Sequence, residues 1–462
     1  MAALAFLGAM TAGCSGDDLT AETPQLPDTA GGTLVTKVTV SLDEHASTRA
    51  LTEAGVKSFA AGDKIAVIYK NTAGETMKAE SAALNSFDIL SSNSAKFSVT
   101  LTNPQASTPV RYIYPAAMAV APIATDAAID DASTIDYTKL ATQDGTLTKL
   151  GSDFDLAVFD GTMTAQAVLP AATLENPLTI CGFTLQDSGN SNADITNTVN
   201  SLTVSDGTNS YAVTPTSALS TIYVAMKPTS GNIAFAASTT APKTYFKTAT
   251  GKTLKASNLY SISVSMQSVA LGNVFCSDGS IYSSKDAATT AGKTPIAMIC
   301  YLGNDAETNA AFKHGLALAL TDASTSAVWC SQKSVTCLGT RYDNWPDAKC
   351  DMAGIANTDY LINNAPAGHT HTAASAARNY NSGTHPAGTS AWFLPSAGQW
   401  DKMITAAGGY VNLKTNAGLQ SVRYWPSTEI DSYCAWRYNF SDGNWHTGHK
   451  DTDHYVRACL AI

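Results

Sequence analysis

All seven tryptophans of this 462-residue chain (Trp329, Trp345, Trp392, Trp400, Trp425, Trp436 and Trp445) fall in its last third. Seven of the nine cysteines and seven of the eight histidines also follow residue 268. A single core built from the whole chain would not segregate its largest side chains this way. The distribution instead predicts a long, plain region followed by a compact aromatic module. Indoles join a large apolar face to a polar edge, so the module is where recognition is expected. The length predicts about three domains. Only 14% of residues are charged and the net charge is −10, so the basic stripe that nucleic acid requires is missing. No apolar stretch approaches the roughly 18 to 20 residues of a membrane span.

Before residue 268 the pattern is that of short strands. Residues 15–33 read as a polar tether. Leu34 to Leu42 then alternates, with Leu34, Thr36, Val38 and Val40 on one face and Val35 on the other. The Gly62-Asp63 turn feeds a strand over 64–70. Further strand candidates recur to Met266, separated by turn signals such as Asp206-Gly207 and Gly251-Lys252. Many short strands without a long helix predict one or two β-sandwiches between residues 50 and 268. The turn-rich stretch 160–177 sets the expected boundary near 165. Arg49 and Arg111 are the only arginines in the first 340 residues.

In the terminal module Ser396 and Gln399 form a capping box for a helix that Gly408-Gly409 would end. A second helix is expected near Glu307 to Leu320. The last 40 residues read as strands at 423–429, 434–440 and 455–462, joined by a loop from Ser441 to His454. Seven cysteines in the module leave at least one unpaired, and Cys434 with Cys459 is the expected bridge. No C-x-x-C pair occurs, which argues against structural zinc. The candidate ligand-binding residues are Trp425, Trp436, Arg437, Asn439, Asp442, Asn444 and Trp445. A sugar ring can stack on an exposed indole; the alternative is that these tryptophans pack the core. Asp442, Asn444, Asp451 and Asp453 offer oxygen ligands that calcium would need, or form a solvated loop. His446, His449 and His454 cluster in one loop and His369 and His371 in another, without a helix to fix metal-binding geometry. No motif for nucleophilic catalysis, a nucleotide or a dinucleotide occurs.

Several segments resemble known families. Ala2 to Met10 is apolar and runs into Thr11-Ala12-Gly13-Cys14, which resembles a bacterial lipobox with Cys14 as the lipidated residue. It departs in carrying Thr11 where Leu is usual and in lacking a preceding Lys or Arg; a buried segment with a chance cysteine is the alternative. With it, FAAGDKIAVIY (59–69), RYIYP (111–115), PLTICGFTL (177–185) and the closing KTYFKTATGKTLKASNLYSISVSM (243–266) resemble the fimbrillins, the lipoprotein-derived type V pilins. That resemblance implies two tandem transthyretin-like β-sandwiches. It also implies cleavage after Arg49, before Ala50, to release the first strand, and assembly with other fimbrial subunits by strand donation. AWFLPSAGQW (391–400), YWPSTE (424–429), AWRYNFSDGNW (435–445) and YVRAC (455–459) resemble C-type-lectin-like modules and the related formylglycine-generating enzymes. In that fold two helices flank a small sheet, and residues 338–390 would supply the long ligand-bearing loop.

The expected organisation is therefore mainly β: a signal segment (1–13), a tether with a removable strand (14–49), two sandwiches (50–165 and 166–268) and an α+β lectin-like module (269–462). The resemblances imply a lipid-anchored precursor at the cell outer membrane, then a fimbrium outside the cell. There the chain would be a non-enzymatic tip adhesin binding a glycan or protein, without a cofactor. Shaft pilins end in the donor strand itself, whereas this chain continues almost 200 residues past Met266. The alternatives are a cap or anchor without a ligand, and an enzyme of the formylglycine-generating fold, which would need a reactive cysteine.

Overall fold

The computed structural model describes residues 32–42, 58–120, 123–241, 243–332, 334–364 and 368–462. Cys14, Arg49 and Ala50 lie outside them. The fold is mainly β, built from several sheets, with a smaller α+β region toward the C-terminus. No helix among the described residues is long and apolar enough to cross a membrane.

The first strand, Thr33–Leu42, alternates as its sequence predicts: Leu34, Val38, Val40 and Leu42 are buried, while Val35 is 69% exposed. It lies inside a four-stranded sheet. It pairs antiparallel with Ser94–Thr102, from Thr33 opposite Thr102 to Ser41 opposite Ser94. On its other edge it pairs parallel with Ala172–Leu174. A second sheet, ordered Thr76–Glu80, Ala66–Lys70, Pro109–Tyr114 and Ala157–Thr162, covers the apolar face. Phe97, Tyr112, Leu169 and Leu174 fill the space between them. Residues 166–174 therefore complete the first sandwich, and the expected boundary at 165 cuts through it. Nor is the division a single point. Leu140, Leu150 and Phe154 already sit in the second sandwich's core, and Thr142–Gln143 adds a strand to its sheet.

In the second sandwich the last strand, Leu259–Val269, runs parallel to Thr179–Asp187 through eight residue pairs, from Ile180–Leu259 to Asp187–Met266. Its other edge meets Thr244–Leu254 only at Thr244, Tyr245 and Phe246. Below that point the two strands splay. A mainly apolar cavity of about 400 Å³ opens there, lined by Phe183, Phe235, Ala249, Tyr260, Ile262 and Val264 among others.

The α+β region follows after four residues. One sheet orders Ile281–Tyr282, Val274–Cys276, Pro295–Leu302, Gly315–Ala319 and Cys459–Ala461. A second orders Ser324–Val328, Asp453–Val456, Arg423–Tyr424, Cys434–Asn439 and Asn444–His449. The helix Ala397–Ala406 carries the expected capping box, with Ser396 and Gln399 each bonding the other's backbone N–H. Three expectations need correction. Residues 307–320 form no α-helix: Ala310–Phe312 is a single 3-10 turn and Gly315–Ala319 is a fully buried strand with neighbours on both edges. Such a short apolar run does not reveal its period. The 338–390 segment is not one irregular loop, since Gly354–Asn363 and Thr372–Arg378 are helices within it. The loop expected over 441–454 contains the strand Asn444–His449, which has Trp445 as its one large apolar side chain.

The terminal region packs directly on the second sandwich. Phe275 meets Phe246 edge to face at 5.0 Å, and Ala234, Ala236 and Phe246 share one core with Trp329, Trp392 and Leu460. His314, with no exposed surface, seals this contact. One ring nitrogen meets the Thr203 hydroxyl at 3.1 Å and the other the Ser238 hydroxyl at 2.8 Å. Burial, then Lys313, holds its pKa down to about 3, so the folded ring is neutral. The unfolded chain takes up that proton near pH 6.5. Between these values the unfolded state binds more protons, so acidification below about pH 6.5 removes stability, at most about 1.4 kcal/mol per pH unit. Urea melts of the full chain at pH 7 and pH 5 should show the loss, and His314→Gln should flatten it. An unchanged slope in the variant would assign the pH dependence elsewhere.

Candidate ligand-binding hairpin

Most of the predicted binding residues sit on one antiparallel hairpin, Cys434–Asn439 with Asn444–His449, whose register pairs Trp436 with Thr447, Arg437 with His446, Tyr438 with Trp445 and Asn439 with Asn444. Its turn is held by Asp442, which accepts from Asn439 Nδ2 at 2.7 Å and from the Asn444 backbone at 2.9 Å. Gly443 completes the turn at φ +75°, and a Cβ there would lie 2.3 Å from the Tyr410 ring. The alternation of side chains across a strand then divides the predicted set. Trp436 and Trp445 share one face with Tyr438. Arg437, Asn439 and Asn444 share the other. A single small ligand cannot lie against both.

The tryptophans differ in face and in burial. Trp425, which packs on the Arg437 side against Gly448 and His454, has no exposed surface and donates to the Ala327 carbonyl at 3.0 Å. Trp436 is 8% exposed and donates to the Tyr342 carbonyl at 2.8 Å. Both are core residues. Trp445 is only half-buried and stacks on Trp345 with ring centroids 4.5 Å apart and planes 27° from parallel. Trp345, also half-buried, opens a short helix capped by Asn344. Trp345 was absent from the predicted set because 100 residues separate it from its partner. Its only local signal was the Asn-Trp-Pro-Asp helix start. The accessible aromatic platform is thus Trp345 with Trp445.

Apart from the buried Trp425 and Ala435, the opposite face is polar. Arg437 Nη1 donates to His454 Nε2 at 2.9 Å, while Arg437 Nε is buried without a partner. Burial, then the charges of Arg437 and Arg423, lowers the His454 pKa to about 4, which keeps the ring a neutral acceptor. Beside them an open pocket of about 350 Å³ is lined by Arg423, Asn439, Ser441, Asp453, His454 and Tyr455 among others. Asp442 spends its oxygens on Asn439, Asn444 and His446, and among the described residues Asp442, Asp451 and Asp453 do not converge.

The expected Cys434–Cys459 bridge is not formed, and both thiols are free. Cys434 packs beside Trp345 and Trp436. Cys459 lies fully buried in the other sheet, among Cys300, Trp400 and Leu318. The two strands are neighbours in sequence but belong to different sheets.

The chain matches no protein-family model and no curated protein. Among solved structures it is similar to the tip fimbrial protein Mfa3 of Porphyromonas gingivalis with a C-terminal truncation, at 9% identity and TM-score 0.28, over 50% of this chain and 95% of that one. It is also similar to a fimbrial assembly protein of Parabacteroides distasonis, at 10% identity and TM-score 0.29, over 50% of this chain and 91% of that one. At these values the likeness assigns neither fold nor role.

The two kinds of tryptophan predict two kinds of variant. Trp425→Ala and Trp436→Ala should each lower the unfolding free energy by about 3–5 kcal/mol, as truncation of a packed indole does. Trp445→Ala should cost less than half as much and leave the fold intact. Equilibrium denaturation of the three variants checks this; an equal loss in all three would make Trp445 a core residue too.

Proposed function

We propose that the chain is a fimbrial subunit that accepts a strand from a neighbour, and that its terminal module points outward as a tip adhesin. The observation that carries this reading is the place of Thr33–Leu42. It is the first described strand of the chain, yet it lies inside its sheet, with partners on both edges and four apolar side chains in the core. Burial of each such side chain contributes about 1.5–3 kcal/mol. Excision after Arg49 would leave a groove with two unpaired strand edges and empty apolar sockets, which an incoming strand of the same alternation would fill.

The other end of the chain supports the same polarity. Leu259–Val269, the segment that would be donated in a shaft pilin, is bonded to Thr179–Asp187 along eight residue pairs and continues into the terminal region. Withdrawing it would unmake the second sandwich. A subunit of this kind would receive a strand and give none, which supports the reading of a position at one end of a fibre. The Trp345–Trp445 platform and the polar pocket on the reverse face of the hairpin are the two surfaces suited to a glycan or protein ligand, and no enzymatic role is proposed.

A cap that recognises nothing is the second reading, favoured by the burial of Trp425 and Trp436. Two measurements decide. The N-terminal residue of the protein in filaments sheared from cells should be Ala50, and Arg49→Ala should block incorporation; an acylated Cys14 terminus in the mature filament would overturn the pilin reading. The full chain on a glycan and protein array should bind with a signal lost in Trp445→Ala. A silent array with folded protein favours the cap.

A further inference from the structure

Two cysteines and a histidine from separate segments meet inside the terminal module. The Sγ atoms of Cys330 and Cys337 and a ring nitrogen of His371 lie within 4.8 Å of one another, and all three residues are buried. His371 Nδ1 lies 2.8 Å from the Trp329 carbonyl, which can only accept, so Nδ1 carries the proton. That leaves Nε2 with a bare lone pair, and Nε2 is buried without a hydrogen-bond partner. A second imidazole stands beside the group, with His369 Nδ1 3.9 Å from Cys330 Sγ.

We propose that Cys330, Cys337 and His371 bind a zinc ion, with His369 as the fourth ligand. Two sulfur and two nitrogen donors are the set that tetrahedral zinc takes. Ligands at about 2.0–2.3 Å from a tetrahedral ion are themselves under about 4 Å apart, so closure needs only small side-chain movements. Two thiolates neutralise the ion, so the complete centre adds no net charge to a buried place. Metal-bound histidines characteristically donate their second N–H to a carbonyl, as His371 does to Trp329.

The surrounding backbone holds the ligands in place. The Cys330 N–H donates to the Lys450 carbonyl at 3.0 Å, and the Cys337 N–H to Glu429 Oε1 at 2.8 Å. The loop bearing Cys330 is tied to the loop bearing the histidines: the Ser331 N–H donates to the Thr370 carbonyl at 2.9 Å, and the Thr370 N–H to Ser331 Oγ at 3.0 Å.

The test uses the full chain, kept reduced during purification. Zinc titration followed by gel filtration and elemental analysis should retain roughly one zinc per chain, and cobalt(II) should give thiolate-to-metal charge-transfer absorption. Cys330→Ser and Cys337→Ser should retain none, whereas Cys350→Ser and Cys434→Ser, which alter the exposed and half-buried thiols, should behave as the parent. Zinc should raise the melting temperature of the parent and not of Cys330→Ser. The wild-type measurements keep the proposal falsifiable if a variant fails to fold. Absence of retained zinc, absence of the cobalt band, or a Cys330–Cys337 disulfide in protein taken directly from cells would overturn it.

Discussion

Glu429 and Lys450 form an ion pair with no solvent exposure on either side chain, and the interior of the terminal region is arranged around it. Glu429 also accepts from the backbone N–H groups of Cys337 and Leu338. Lys450 donates to the Val335 carbonyl and sits 5.1 Å over the Trp329 ring. Both charges are thus satisfied by several partners, the condition under which a sealed pair is tolerated; truncating one partner of such a pair costs about 3–5 kcal/mol. The pair fixes the 329–338 segment against the final hairpin, because Lys450 follows directly on the strand Asn444–His449 and Glu429 precedes Cys434. One electrostatic contact therefore sets the position of the cysteine loop and of the hairpin that carries the candidate binding surfaces.

The two halves of the molecule are stabilised differently. The first sandwich depends on strand completion: a segment near the N-terminus is flanked by Ser94–Thr102 and by Ala172–Leu174, so its sheet closes only when distant stretches meet. The terminal region depends on packed indoles, several of whose N–H groups reach a carbonyl, as Trp329 does to Pro426, Trp392 to Thr384 and Trp425 to Ala327. That pattern makes most of its tryptophans structural and leaves only the Trp345–Trp445 pair with an open face.

Local signals in the sequence were legible where one element decides the outcome. The alternation from Leu34 to Leu42 and the Ser396–Gln399 capping box each appear in the structure as read. Outcomes decided by partners distant in the chain were not. Gly315–Ala319 is a strand because it has neighbours on both edges, which a five-residue apolar run cannot announce. Asn444–His449 is a strand because Cys434–Asn439 supplies its ladder, although apart from Trp445 and Gly448 its own residues are polar. Six residues lie between Cys330 and Cys337, too many for a C-x-x-C motif to be read, and His371 comes from another segment altogether. The candidate site was found in its neighbourhood but not in its grouping, since the period of two separates Trp436 and Trp445 from Arg437 and Asn439.

The short passage between the second sandwich and the terminal region has a mechanical meaning. Only Ala270 to Asn273 separate the strand ending at Val269 from the strand starting at Val274, and the two bodies share one core sealed by His314. A module on a long polar linker sweeps a volume and finds its target by statistical search. This one has no such freedom. Its aim is inherited from whatever the second sandwich is attached to, and a pull on the hairpin loads the buried interface instead of straightening a tether. Were the module to bind a surface as proposed, its reach would be set by how the second sandwich is oriented and not by the sweep of a linker.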